Sequence, residues 1–333
     1  MGRYTARRLL QFIPVLFGTM FLLHYLQVVS IQINGNPLTA IFGERQPPPE
    51  TLAALTREYG LDDPCLTQTG NPCLGMFVDR IVGYAQGDFG VNFTQQTVTS
   101  LIGDALPITL RLTVIAVAFE SVVGILAGVL AAIRKDKFAD NFVRISTVLV
   151  ISVPVFVLGV LVQILSGLYV GVWLTDNGAP EWLSAAFSVS YQSEHPWASL
   201  FVPGIVLGAF SLGFIARLTR TSLIEILRAD YVRTARAKGL QPRRVVGVHA
   251  LRNSLIPVVT YIGLDIGALM SGAIVTEFIF NIPGVGGLVA RSAVATETPV
   301  VIGVATLLTL VFLVASLLVD LLYAVLDPRI RYD

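Results

Sequence analysis

The chain has 333 residues, 54% of them hydrophobic and only 14% charged, against about 25% charged in a soluble globular domain. Long apolar runs without polar alternation exclude a soluble multidomain enzyme. A net charge of +1 argues against a nucleic-acid partner, which would call for a basic patch or fold motif.

The chain opens MGRYTARR and then turns apolar. The run from Leu9 to Val29 exceeds a signal-peptide core of about 7–15 residues, so it reads as a retained first span. Six stretches are long enough to cross a hydrocarbon core of about 30 Å. They are Leu9–Ser30, Leu106–Ile133, Phe142–Trp173, Ala198–Leu218, Ser254–Phe280 and Val300–Leu326. Lipid offers no partner for unpaired backbone groups, so each is predicted helical. The expected fold class is an all-α membrane protein of about six transmembrane helices. The third stretch is long enough to tilt or to leave the membrane in part, and Pro154 and Pro203 are candidate kinks.

Residues 31–104 form a long polar segment, expected as an extracytoplasmic loop subdomain because loops of that length without structure are uncommon. Pro47–Glu50 reads as a turn leading into a short helix over Thr51–Tyr59. Cys65 and Cys73 lie in this segment. In an oxidising space they would close a small disulfide loop, and elsewhere they would stay free thiols; the spacing leaves both open. No histidine lies beside them, and no metal site is predicted. Leu174–Trp197 is a shorter loop expected to rest on the membrane surface through Trp173, Trp182 and Trp197. Glycines four residues apart, Gly124/Gly128, Gly167/Gly171, Gly204/Gly208 and Gly263/Gly267, suit close packing between helices within the chain.

Cations orient the array. They gather before the first span (Arg3, Arg7, Arg8), between the second and third (Arg134, Lys135, Lys137, Arg144), through 217–252, and after the last (Arg329, Arg331). Acids crowd the first outer segment, including Asp62, Asp63, Asp79, Asp88 and Asp104. The positive-inside bias then places both termini in the cytoplasm, which an even number of spans requires.

The segment from Arg217 to Arg252 is polar, basic and too long for a mere hairpin between spans. Its first part, through Lys238, favours helix; Gly239 stops it, and a second helix is expected near Pro242–Arg244 running into the fifth span. This segment resembles the cytoplasmic loop of bacterial ABC-importer permeases, whose pattern is EAA, three residues, Gly, nine residues, I-x-L-P. Only Ala235, Gly239 and Leu251 match that generic pattern. The variant DYVRTARAKGL with HALRNSLIPVVT (Asp230–Leu240, His249–Thr260) is more specific, and is similar to the B-type permease subunit of oligopeptide and dipeptide importers. Further stretches agree: YGLDDP (Tyr59–Pro64), GDFG (Gly87–Gly90), LPITLRL (Leu106–Leu112), SVPVFVLG (Ser152–Gly159), GAIVTEFIFNIPGVGGL (Gly272–Leu288) and DLLYAVLDPRIRY (Asp320–Tyr332). The poorest match is Cys65–Met76, which reads as an insertion.

The resemblance implies a type I ABC-importer permease fold. It divides the chain into a tail and first helix over 1–30, the outer subdomain over 31–104, a five-helix permease core over 105–326 containing the coupling loop 217–252, and a tail over 327–333. It implies four kinds of partner: a homologous C-type permease, two cytoplasmic ATPase subunits or domains that bind ATP and Mg, an extracytoplasmic peptide-binding protein, and the bilayer of the bacterial inner membrane. Peptides are the leading substrate, with nickel chelates and glutathione as alternatives. Arg233, Thr234, Ala235, Arg236, Lys238 and Gly239 are the residues expected to meet the ATPase. Small residues such as Ala235 and Gly239 would allow close docking, while the cations equally serve the positive-inside bias and anionic lipid.

No G-x-x-x-x-G-K-[ST] occurs, so hydrolysis is assigned to another polypeptide and the chain itself is not expected to be an enzyme or to hold a cofactor. His24, His195 and His249 are too scattered for a metal site, and Ser211 has no G-x-S-x-G around it. Glu120, Asp265, Glu277 and Asp320 lie within or at the ends of spans, where ionisable groups are expensive. Glu120, Asp265 and Glu277 are candidates for the translocation pathway, with packing roles equally open; Asp320 is expected to pair with a nearby cation. A proton-coupled secondary transporter is the competing class, although no internal repeat supports it.

Overall fold

A computed structural model describes residues 2–42 and 47–326, without side chains for 2–5, 40, 41, 271, 272 and 319–326. The tail expected over 327–333 and the side chain of Asp320 lie outside the described residues. In chain order the helices are α1 (Gly2–Asn34), α2 (Pro37–Phe42), α3 (Pro49–Glu58), α4 (Leu74–Ala85), α5 (Val98–Ile133), α6 (Phe138–Ser152), α7 (Val155–Asp176), α8 (Glu181–Ala186), α9 (Phe201–Ile226), α10 (Asp230–Ala237), α11 (Pro242–Ser254), α12 (Ile256–Ile279), α13 (Val285–Val294) and α14 (Thr298–Leu326). Among the described residues there is no strand, only an isolated bridge between Val91 and Thr97.

Five helices (α1, α5, α7, α9 and α14) are long and apolar enough to cross a membrane, and α11 with α12 makes a sixth if that bent pair is one span. The fold is therefore the expected all-α membrane class. Exposed apolar side chains such as Leu10, Leu126, Leu161 and Leu168 give these helices a lipid-compatible exterior.

Prolines explain where the helices depart from the expected runs. Val153 is extended, as the residue before a proline is driven to be. The stretch Phe142–Trp173 is therefore broken at Pro154, and α7 is the membrane-length part. Pro203 sits in the first turn of α9, where its missing N–H interrupts no helical bond, so it is not a kink. Pro257 begins α12, and the axis bends by 48° between α11 and α12. The helix expected to run from Pro242 into the fifth span does so through an elbow.

The chain forms two compact units. Among the described residues the larger is built from 2–5, 106–287 and 311–326. Its main core joins Leu112 and Ala116 of α5, Val206 and Leu207 of α9, Leu269 and Ala273 of α12, and Phe280 and Ile282 beyond it. Glycines let α9 lie against α5. A Cβ on Gly128 would stand 2.5 Å from the Ala216 carbonyl oxygen, and one on Gly208 would stand 2.7 Å from that of Ala116. Gly124 and Gly204 receive Ile215 and Ile115 in the same way. The smaller unit holds 6–105 with 288–310, including α1 to α4.

Candidate coupling segment and buried carboxylates

The basic segment after α9 is rigid for local reasons. Leu227–Ala229 turn the chain, with the Ala229 N–H donating to the Ile226 carbonyl at 3.0 Å, and α10 follows. Asp230 in its first turn and Arg236 in its last both suit the helix dipole. Val232 is fully buried and Ala235 nearly so, packed with Leu223, Val245 and Ala250. Burying a valine stabilises by about 2 kcal/mol. Arg233, Thr234, Arg236, Lys238 and Gly239 are exposed. The side chain of Ala235, expected to meet a partner, is taken up here by the chain's own core.

Gly239 ends α10 with φ +73°, a conformation that L side chains avoid. Its N–H donates to the Arg236 carbonyl at 2.9 Å, and Leu240 folds back onto the apolar cluster beneath α10. Nothing lies within 4 Å of where its Cβ would be, so within the chain the glycine is needed for the turn and not for space. The Asn253 amide donates to the Tyr231 hydroxyl at 2.9 Å, joining α11 to α10. An open cleft of about 560 Å³ lies here, lined by residues including Tyr231, His249, Arg252, Asn253 and Ile256.

Beside this segment, sequence reasoning missed Asp140. It is fully buried and accepts two bonds from Arg220 of α9, while the Asp136 N–H donates to it at 2.9 Å. The Arg220 hydrogen bond, reinforced by the Asp136 N–H, holds the Asp140 carboxyl down at about 2. The available signal was an early-helix acid amid Arg134, Lys135, Lys137 and Arg144.

The structure separates the three acids grouped from the sequence. Glu277 is fully enclosed. Its Oε1 accepts from the Thr109 hydroxyl at 2.6 Å, and its Oε2 accepts from the Gly287 N–H at 2.7 Å, at the start of α13. The same Thr109 oxygen accepts from the Val285 N–H at 2.8 Å. A carboxylate at a helix N-terminus satisfies orphan donors and meets the positive end of the dipole. Gly284 packs so closely on this carboxylate that a Cβ would collide with it. Glu277, expected as a pathway candidate or a packing residue, clamps the turn between α12 and α13 through these bonds. Glu120 of α5 and Asp265 of α12, by contrast, come together beside Ser211 of α9.

In the smaller unit Cys65 and Cys73 are joined by a disulfide. Cys73 is buried with Val28 of α1 and Leu66. Gln32 of α1 grips the closed loop by both ends of its amide. Its Nε2 donates to the Gln68 and Asn71 carbonyls, each at 2.9 Å, and its Oε1 accepts from the Gly70 N–H at 3.0 Å. One turn or two back, His24 Nε2 lies 3.0 Å from the Pro72 carbonyl, while Arg80 of α4 donates to His24 Nδ1 at 3.3 Å and to Gln27 at 2.7 Å. These partners assign the Nε2–H tautomer, with Nδ1 as acceptor.

An all-α membrane chain with a rigid basic projection between spans is the architecture of a transporter subunit. The sequence pattern of the binding-protein-dependent transport system inner membrane component family matches residues 124–332, and the chain belongs to that family. These are the permease components of ABC transport systems. The chain is 37% identical to the di/tripeptide transport system permease protein DppB of Pseudomonas aeruginosa, with 99% of each chain covered. It is 35% identical to a putative peptide transport system permease protein of Brucella abortus over 98% of each. It is 34% identical to the dipeptide transport system permease protein DppB of Escherichia coli, over 100% of this chain and 99% of the other.

Proposed function

We propose that this chain is one permease subunit of an ATP-driven peptide importer of the inner membrane. It forms half of the translocation pathway, with a second homologous permease supplying the other half. Two ATPase subunits, which bind ATP and Mg, drive it from the cytoplasm, and both termini lie on that side. An extracytoplasmic peptide-binding protein delivers substrate to the outer subdomain over 31–104. Full-length similarity to peptide permeases supports the substrate class; nickel chelates and glutathione are the competing cargoes.

The observation that carries the coupling role is the exposed cationic face of α10. Arg233, Arg236 and Lys238 stand on a short helix whose other face is locked by Val232 and Ala235 and whose end is fixed by Gly239. A motor closing on such a handle moves α9, because Leu223 of α9 shares its core. The charges themselves tune rate and partner choice more than affinity.

A second reading, a proton-coupled secondary transporter, draws on the Glu120–Asp265 contact. Reconstitution separates the two. ATP-driven dipeptide uptake is expected only when the second permease, the ATPase pair and the binding protein are present. Uptake by the lone chain under a proton gradient would overturn the importer reading.

A further inference from the structure

Glu120 is fully buried in α5, and neither of its oxygens has a hydrogen-bond donor. Its carboxyl meets that of Asp265 on α12, whose buried Oδ2 also lacks a donor. The other groups near the pair are Ser211 of α9 and Tyr261, which lies one turn back on α12. A cation, Arg217, lies beside Tyr261. Its guanidinium stands 5.0 Å from the centre of the Phe214 ring, and that ring stacks on Tyr261 at 6.1 Å. The charge therefore rests on an aromatic face, and among the described residues no basic side chain is ion-paired with either acid.

Two ionised carboxylates in contact repel one another, and burial of Glu120 and of Asp265 Oδ2 strips solvation from both. Neither can donate to the other unless one carries a proton. A single shared proton removes one charge and turns two unsatisfied acceptors into a donor–acceptor pair. We propose that Glu120 and Asp265 hold one proton between them in the membrane core, forming a proton-binding site that locks α5 to α12.

The same two helices carry a route for its release. An open apolar groove of about 400 Å³ lies between them, lined by residues including Thr113, Val117, Ser121, Ile266 and Met270. Ser121 and Ile266 are the chain neighbours of Glu120 and Asp265. Parting of the helices along this groove admits water, so the proton is lost as the pair separates and regained as it closes.

The test uses the assembled transporter in detergent and does not depend on uptake, so failure of the peptide reading leaves it standing. Infrared difference spectra at neutral pH between wild type and Glu120→Gln, and between wild type and Asp265→Asn, are each expected to show loss of one protonated-carboxyl band. In either variant the new amide supplies the donor and no proton is needed. The melting temperature of the wild type is expected to fall as pH rises from about 7 to about 10, because the folded state retains a proton that the unfolded chain has released. That fall is expected to be shallower in both variants. Absence of any such band difference, or equal pH slopes in all three proteins, would overturn the proposal.

Discussion

Arg220 lays its guanidinium across the carboxylate of Asp140, with Nε 2.6 Å from Oδ1 and Nη2 2.7 Å from Oδ2. This bidentate pair ties the end of α9 to the first turn of α6. Asp140 titrates at about 2 in the folded chain, below the unfolded value of about 3.9. Its contribution is therefore complete above the unfolded value and is lost as pH falls from about 4 to about 2. Asp140→Ala is expected to lose about 3 kcal/mol, since Arg220 is left without its partner. Unfolding of the purified protein measured across this range should show the acid step in the wild type and not in the variant.

Glu277→Ala would strand the Gly287 N–H and the Thr109 hydroxyl in the interior. The expected cost is about 3 kcal/mol. Gly284→Ala is expected to lower stability as well, because its new methyl meets the same carboxylate. Melting temperature and folded yield check both. A Glu277→Ala protein with wild-type stability but altered substrate preference would restore the pathway role.

Gly239→Ala should cost about 1 kcal/mol, the strain of a left-handed residue with a Cβ. Gly239→Trp is expected to insert normally in the membrane yet uncouple, leaving ATP hydrolysis in the complex without matching uptake. Parallel assays of phosphate release and substrate accumulation measure the ratio. Normal uptake from the Trp complex would remove the segment from the coupling route.

Cys65 and Cys73 should resist thiol labelling until reductant is added. Closing so short a loop stabilises by about 2–3 kcal/mol. The double serine variant, and separately Gln32→Ala, should expose residues 66–72 to protease faster than the wild type. Equal cleavage rates would show that the clasp is dispensable.

The membrane class was legible because lipid imposes length and apolarity on every span. The basic segment between spans was legible because polar residues and a glycine stop stand out between apolar runs. What the sequence concealed depends on which way a side chain faces. Ala235 and Arg236 are neighbours, yet one is core and the other surface, and only the packing of α10 on Leu223 decides it. Glu277 and Asp265 lie on one helix, but their partners, Thr109 and Glu120, come from a distant stretch that periodicity cannot register. Asp140 passed unnoticed because charge counting sees two acids among cations, not the particular arginine that one of them meets.

The two glycine pairs that seat α5 on α9 have a mechanical corollary. Each helix offers notches to the other's backbone or branched side chains at successive turns, so neither can slide or roll past its neighbour without collision. The two rods must travel as one beam. A bulkier residue at Gly128 or Gly208 would prise the beam apart before it altered any chemistry.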